Sequence, residues 1–252
     1  MIDYAGLMTK AAILRRELGE DNSSPVDIFA LAQGIQGLTI VFYPMGDNLS
    51  GMCVKGQSSN CTIAINSGMT MGRQRYSLAH EFYHKYFDDN MVSVCGKIIG
   101  KGAEVERSAD MFASYFLMPD AALQTKAESY AMKNSDGQLS LNDLIRIEQY
   151  FGVSHQAAVY RLMRTPYLEE AQGKEYLNMS VRERAEAIGY SSDLYRPSPE
   201  CKKYMTYGYY INQADELLER ELISSGKYEE LLLDAFRTDL VYGDDEEGDV
   251  ID

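Results

Sequence analysis

The chain has 252 residues, enough for one large domain or two small ones, and 45% of them are hydrophobic, with no run approaching the length of a membrane span. Its 38 acidic residues against 24 basic ones give a net charge of −14, a field that opposes attraction to phosphate backbones and anionic membranes and argues against nucleic acid or a membrane as a general partner. Four scattered cysteines, Cys53, Cys61, Cys95 and Cys201, form no CxxC pair and read as reduced thiols of a cytoplasmic protein, none of them assigned to a metal.

The opening MIDYAGLMTKAAILRREL carries Asp3 early and has no apolar signal core, so it reads as an amphipathic helix with Leu7, Ala11, Leu14 and Leu18 inward. GEDNSS breaks it, and PVDIFALAQGI predicts a second helix begun by Ser24 or Pro25, with Ile28, Leu31 and Ile35 inward. The period then changes. Leu38 to Tyr43, rich in β-branched and aromatic residues and closed by Pro44, predicts a strand. Gly51 to Val54 and Cys61 to Asn66 predict two more, joined by the polar turn GQSSN. The expectation is a small antiparallel sheet just before the next helix, with an edge open to an extended peptide.

That helix, YSLAHEFYHKYF from Tyr76 to Phe87, holds two of the three histidines, His80 and His84, one turn apart on one face. Neutral imidazoles so placed suit a nitrogen-preferring metal, zinc above all, and Glu81, about 100° further round, is placed to activate water on it. Such a pentapeptide is ambiguous alone, because paired helical histidines are often ordinary polar residues. DDNMVSVCGKIIGKGAE then reads as a loop or short hairpin, and VERSADMFASYFL, Val105 to Leu117, as a helix stopped at Met118-Pro119. On a helical wheel Ala109, Phe112, Ala113, Phe116 and Leu117 form one apolar face, with Glu106 and Asp110 on its flank. Carboxylates beside a core-facing stripe are costly unless a cation meets them. A metal held by Glu106, with Asp110 holding a histidine ring nitrogen, removes the difficulty. The plainer reading is a pair of carboxylates at a wet helix rim. Glu104 is a rival ligand, nearly opposite Asp110 on the wheel.

In the second half, residues 139–164 have the outline of a helix-turn-helix, with Gly152 at the turn and Ser154 capping the second helix. Arg146, Arg161 and Arg164 are set against Asp143 and Glu148, too little positive charge for DNA contacts, so a packing or regulatory role is expected. His155, the third histidine, reads as a surface or near-cap residue. Beyond Pro166 come polar helical segments, a linker at Arg196-Pro197-Ser198-Pro199, and a tyrosine cluster (Tyr204, Tyr207, Tyr209, Tyr210) read as core. A last helix follows, docked by Leu231, Leu232, Ala235 and Phe236, then the acidic run DDEEGDVID, read as disordered.

HEFYH followed by ERSADMFASYFLMP resembles the ImmA/IrrE-type zinc metallopeptidases, whose second helix has the pattern E-x-x-A-N/D-x-F-A ending in LMP. Here these positions are Glu106, Ala109, Asp110, Phe112, Ala113, Leu117, Met118 and Pro119. PVDIFALAQGIQGLTI and SLAHE are also similar, so the resemblance covers roughly residues 5–165. The spacing Glu106-x-x-x-Asp110 also looks like the thermolysin-type arrangement. The resemblance implies zinc ligands His80, His84 and Glu106, with Asp110 behind a histidine and Glu81 as the catalytic base. It further implies a protein substrate, a helix-turn-helix transcriptional repressor or antitoxin-like regulator, often of a mobile element. The oxyanion-stabilising donor stays open among Tyr76, Tyr83, His155 and the C-terminal tyrosines.

Taken together, the expected fold class is α+β, mostly helical, with the small antiparallel sheet packed beside the HExxH helix. The expected domains are a peptidase domain over residues 1–165 and a helical region over 166–252. The alternative is a non-catalytic protein- or DNA-binding regulatory module with a structural or vestigial zinc site.

Overall fold

A computed structural model describes residues 2–57 and 59–243, so the acidic run at 244–252 lies outside the described residues. The first helix, α1 (Tyr4–Glu17), starts where the Asp3 carboxylate accepts from the Gly6 amide at 2.9 Å, and it buries Leu7, Ala11 and Leu14 as its periodicity requires. Helix α2 (Ile28–Gln33) begins later than expected. Its cap is Asp27, which accepts from Phe29 N and Ala30 N, while Ser24 N is already held by Asp21.

Strands β1 (Leu38–Tyr43), β2 (Leu49–Lys55), β3 (Cys61–Asn66), β4 (Val92–Gly96) and β5 (Met205–Gly208) form one sheet in the order β4-β2-β3-β1-β5. The α+β class holds, but the sheet is mixed. β1 runs parallel to β3, Leu38 opposite Cys61 and Tyr43 opposite Asn66, while the other neighbours are antiparallel. The chain between β1 and β3 includes β2, so it has the length that a parallel return needs. Two strands lie in segments that the sequence reading did not assign as strands. β4 falls in the segment read as loop or hairpin, and β5 comes from the segment beyond Pro166.

Helix α3 (Met71–Phe87) lies between β2 and β3 on one side and α4 (Glu104–Leu117) on the other, with α1 packed against α4. Every residue from Tyr76 to His84 is therefore buried, and no polar stripe survives on that stretch. Arg15 fixes α4 from outside. Fully buried, it donates to Phe116 O at 2.6 Å, Asp21 O at 2.6 Å and Ser24 O at 2.7 Å, and burial lowers its pKa. Arg15→Met should therefore leave three carbonyls unpaired and cost about 3 kcal/mol or more in chemical denaturation. An unchanged urea midpoint would show that these bonds contribute nothing.

After α5 (Asp120–Ala131), helices α6 (Leu141–Phe151) and α7 (His155–Leu162) make the expected helix-turn-helix outline, with Gly152 left-handed at φ 63° and Ser154 capping Ala157 N. Its charged groups are paired within the fold. Arg161 pairs with Asp120 at 2.6 Å, Arg146 with Asp143 at 2.7 Å, and His155 lies between Glu148 Oε1 and Tyr176 O. Farther on, α8 (Glu170–Tyr176), α9 (Arg182–Ala187), α10 (Tyr209–Glu219), α11 (Ser225–Asp234) and α12 (Thr238–Tyr242) complete the described chain.

The tyrosine cluster is not core, because none of its four side chains is buried: Tyr207 sits edge-on to Phe42 and Tyr204 edge-on to Tyr43 at the β5 end of the sheet. Leu232 and Ala235 dock α11 as expected, and Phe236 is exposed. No helix among the described residues is long and apolar enough to cross a membrane.

Candidate metal centre

His80 and His84 project from α3 toward α4, where Glu106 meets both: Nε2 of His80 is 3.4 Å from Glu106 Oε2, Nε2 of His84 is 3.5 Å from Oε1, and the two Nε2 atoms are 3.2 Å apart. Each ring is held from behind by a carboxylate. Asp110 Oδ1 lies 2.9 Å from His80 Nδ1, and Asp88 Oδ2 lies 2.7 Å from His84 Nδ1. A neutral imidazole has one N–H, and a carboxylate on Nδ1 keeps it there. Both Nε2 atoms are then lone-pair acceptors, facing each other and an acidic side chain. Three acceptors so placed need positive charge between them, which a proton or a metal ion can supply.

The electrostatics agree. Burial works against a charged His80, yet its hydrogen bonds with Asp110, Cys95 and Glu106 raise its pKa well above the usual histidine value. His84 moves the other way, its burial lowering the pKa against the pull of Asp88. The raised His80 pKa reports negative surroundings that a divalent cation would also meet. The residues therefore fit a metal ion, and the group whose ligand atoms lie within 4.8 Å of one another is His80, His84, Cys95 and Glu106.

Asp110 is itself positioned by Gly100 N, which donates to its Oδ2 at 2.6 Å, and by Tyr76, whose hydroxyl donates to Asp110 O at 2.6 Å. Tyr76 is thereby committed to α4. Tyr83 packs against His84 and Phe112. With His155 bound elsewhere, three of the sequence candidates for oxyanion support have other partners. The cleft beside the cluster, about 660 Å³, is lined instead by Asn48, Lys97 and Lys101, together with Val94, Gly96 and Ile98 at the sheet edge. Glu104, the rival ligand, is exposed and outside the cluster. A larger depression of about 1020 Å³, bordered by Arg73, His155 and Val181, is lined by none of the four clustered residues and shares only Asp47 and Lys97 with this cleft.

Glu81 is fully buried against the sheet. Its Oε2 lies 3.4 Å from Ser93 Oγ of β4, while its Oε1 has no hydrogen-bond partner among the described residues. Burial raises its pKa to about 7. Room for the carboxylate comes from Gly51 of β2, where a Cβ would stand 2.9 Å from Oε1. A carboxyl whose folded pKa exceeds its unfolded value binds its proton more tightly in the folded state, so stability falls as pH rises from about 4.5 to about 7. In chelator-treated protein, Glu81→Gln should remove that slope and exceed the wild type by up to about 3 kcal/mol near pH 8, with the advantage gone near pH 4.5. Urea midpoints at both ends check this, and parallel pH profiles would contradict it.

The fold brings together all five residues singled out in the sequence, Glu81, His80, His84, Glu106 and Asp110. It adds Asp88 and Gly51, which the sequence did not single out, and Cys95, which the sequence did not assign to a metal. Asp88 carried a signal, four residues after His84 and at the helix end. Gly51 and Cys95 carried none, because only strand pairing across β2 and β4 brings them to α3.

A search of curated proteins gives no match for this chain. A peptidase family model described as the IrrE N-terminal-like domain matches residues 34–163, a span that takes in β1 through α7 and so every residue of the cluster. Over half of its length, and with its buried histidine and carboxylate cluster inside the matched span, the chain belongs to the peptidase family of the IrrE N-terminal-like domain.

Proposed function

We propose that this chain is a zinc-dependent endopeptidase acting in the cytoplasm, with His80, His84 and Glu106 as metal ligands and Glu81 as the proton-transfer group. The carrying observation is the convergence of three acceptor atoms beside a buried carboxylate that has one oxygen unpartnered. When bound, zinc supplies Lewis acidity toward a carbonyl oxygen and acidifies water. Asp110 and Asp88 keep both Nε2 atoms unprotonated for it. Glu81 accepts a proton from water and returns it to the leaving amine, a role suited to a group whose burial places its pKa near neutrality. A purely structural site has no use for such a carboxylate, and this favours catalysis over the binding-module alternative.

For the substrate, β4 is the edge of the sheet beside the cleft, and its outward Val92 and Val94, with Met91 and Ile98 nearby, are each more than half exposed. An extended segment added to that edge runs past the ligands. By family resemblance the segment belongs to a helix-turn-helix repressor or antitoxin-like regulator. Zinc-loaded protein incubated with the regulator encoded beside it should give two complementary fragments by mass spectrometry, and chelator should suppress them. An intact regulator under zinc-replete conditions contradicts this choice of substrate.

A further inference from the structure

The cluster contains one ligand more than an open catalytic zinc site takes from a protein. Along β4 the side chains alternate: Val92, Val94 and Gly96 face outward, while Ser93 and the fully buried Cys95 face α3. Ser93 reaches Glu81 at 3.4 Å, and Cys95, two residues on, places its Sγ within 4.8 Å of the ligand atoms of His80, His84 and Glu106. Structural zinc is closed by four protein ligands, catalytic zinc keeps three and leaves the fourth position for water. Cys95 lies on the sheet side of the ligands, the side from which Glu81 also approaches, and that is where water must stand for Glu81 to reach it.

We propose that Cys95 is a fourth, displaceable zinc ligand that holds the enzyme latent until β4 moves. The lever is the strand itself. β4 is hydrogen-bonded only to β2 within the sheet, and its other edge is the one offered to an extended substrate. A segment that pairs there pulls on the backbone carrying the thiol, and withdrawal of Cys95 admits water beside Glu81. Nothing covalent changes; one ligand is exchanged for another. Cys53 and Cys61 do not substitute for it, since their Sγ atoms face each other at 3.4 Å outside the cluster.

This inference rests on the metallopeptidase reading of the same cluster, and its test separates the two. Cobalt(II) replaces zinc in the full chain, and its absorption is recorded for wild type and Cys95→Ser. The wild type should show a thiolate-to-cobalt charge-transfer band in the near ultraviolet, and the variant should lose that band while still binding cobalt. X-ray absorption of the zinc-loaded wild type gives the same answer without a variant, as one sulfur at about 2.3 Å. Cys95→Ser should also cleave the regulator faster than wild type. Cobalt bound without a thiolate band, or only nitrogen and oxygen around zinc, overturns the latch and leaves the peptidase reading standing. A thiolate band with equal cleavage in the two proteins overturns the latency. A chain that takes up no metal at all overturns both readings.

Discussion

Glu81→Gln should lower peptide cleavage by about 10³-fold, within the range that general acid–base groups contribute, while the protein still loads with zinc. Glutamine keeps the shape but cannot accept a proton. It also keeps the packing against Gly51, whose missing Cβ leaves only enough space for a side chain of this size. The comparison that matters is between turnover and metal content measured on one preparation. Loss of both together would make Glu81 a structural residue, and turnover retained at the wild-type rate would remove it from the chemistry.

Glu106→Ala should weaken zinc binding by about 10²- to 10³-fold, since an apparent 10–16 kcal/mol for a tightly held zinc, divided among its ligands, assigns each about 3 kcal/mol. The fold should survive, because the Glu106 side chain is 23% exposed and the α4 face that packs inward is made by Ala109, Phe112, Ala113 and Phe116. Glu104→Ala, two residues away and outside the cluster, is the control and should bind zinc as the wild type does. Competition against a chromophoric chelator measures both. Equal affinities for the two variants would contradict the placement of Glu106.

What the sequence discloses about this site is what a helix discloses. His80, His84, Glu106 and Asp110 lie on two helices, where residues one turn apart share a face, so their convergence follows once the two faces are set against each other. Asp88 is the next step of the same spacing. Gly51, Ser93 and Cys95 lie on strands, and which strand lies beside which is decided by pairing between segments distant in the chain. β4 shows this most plainly. Its sequence, VSVCG, alternates like a strand but is short and flanked by polar loops, and only its pairing with β2, Cys53 opposite Ser93, turns the inner residues onto α3. β5 is similar, since Met205 to Gly208 are too short to read as a strand alone and are held by β1. The tyrosines around it were expected inside because aromatic clusters usually are, but at the sheet edge each stays partly exposed. Arg15 escaped notice for another reason. A helical wheel sorts apolar from polar residues and has no place for a buried cation whose partners are the carbonyls of a loop and of a neighbouring helix.

The most direct measurement is elemental analysis of the purified full-length chain, carried out for the wild type, Glu81→Gln and a His80→Ala/His84→Ala double variant, each shown by circular dichroism to be folded. One zinc per chain is expected in the first two proteins and none in the third. A wild type that remains free of zinc after exposure to it, or a folded double variant that retains a full equivalent, would contradict the site on which the rest depends.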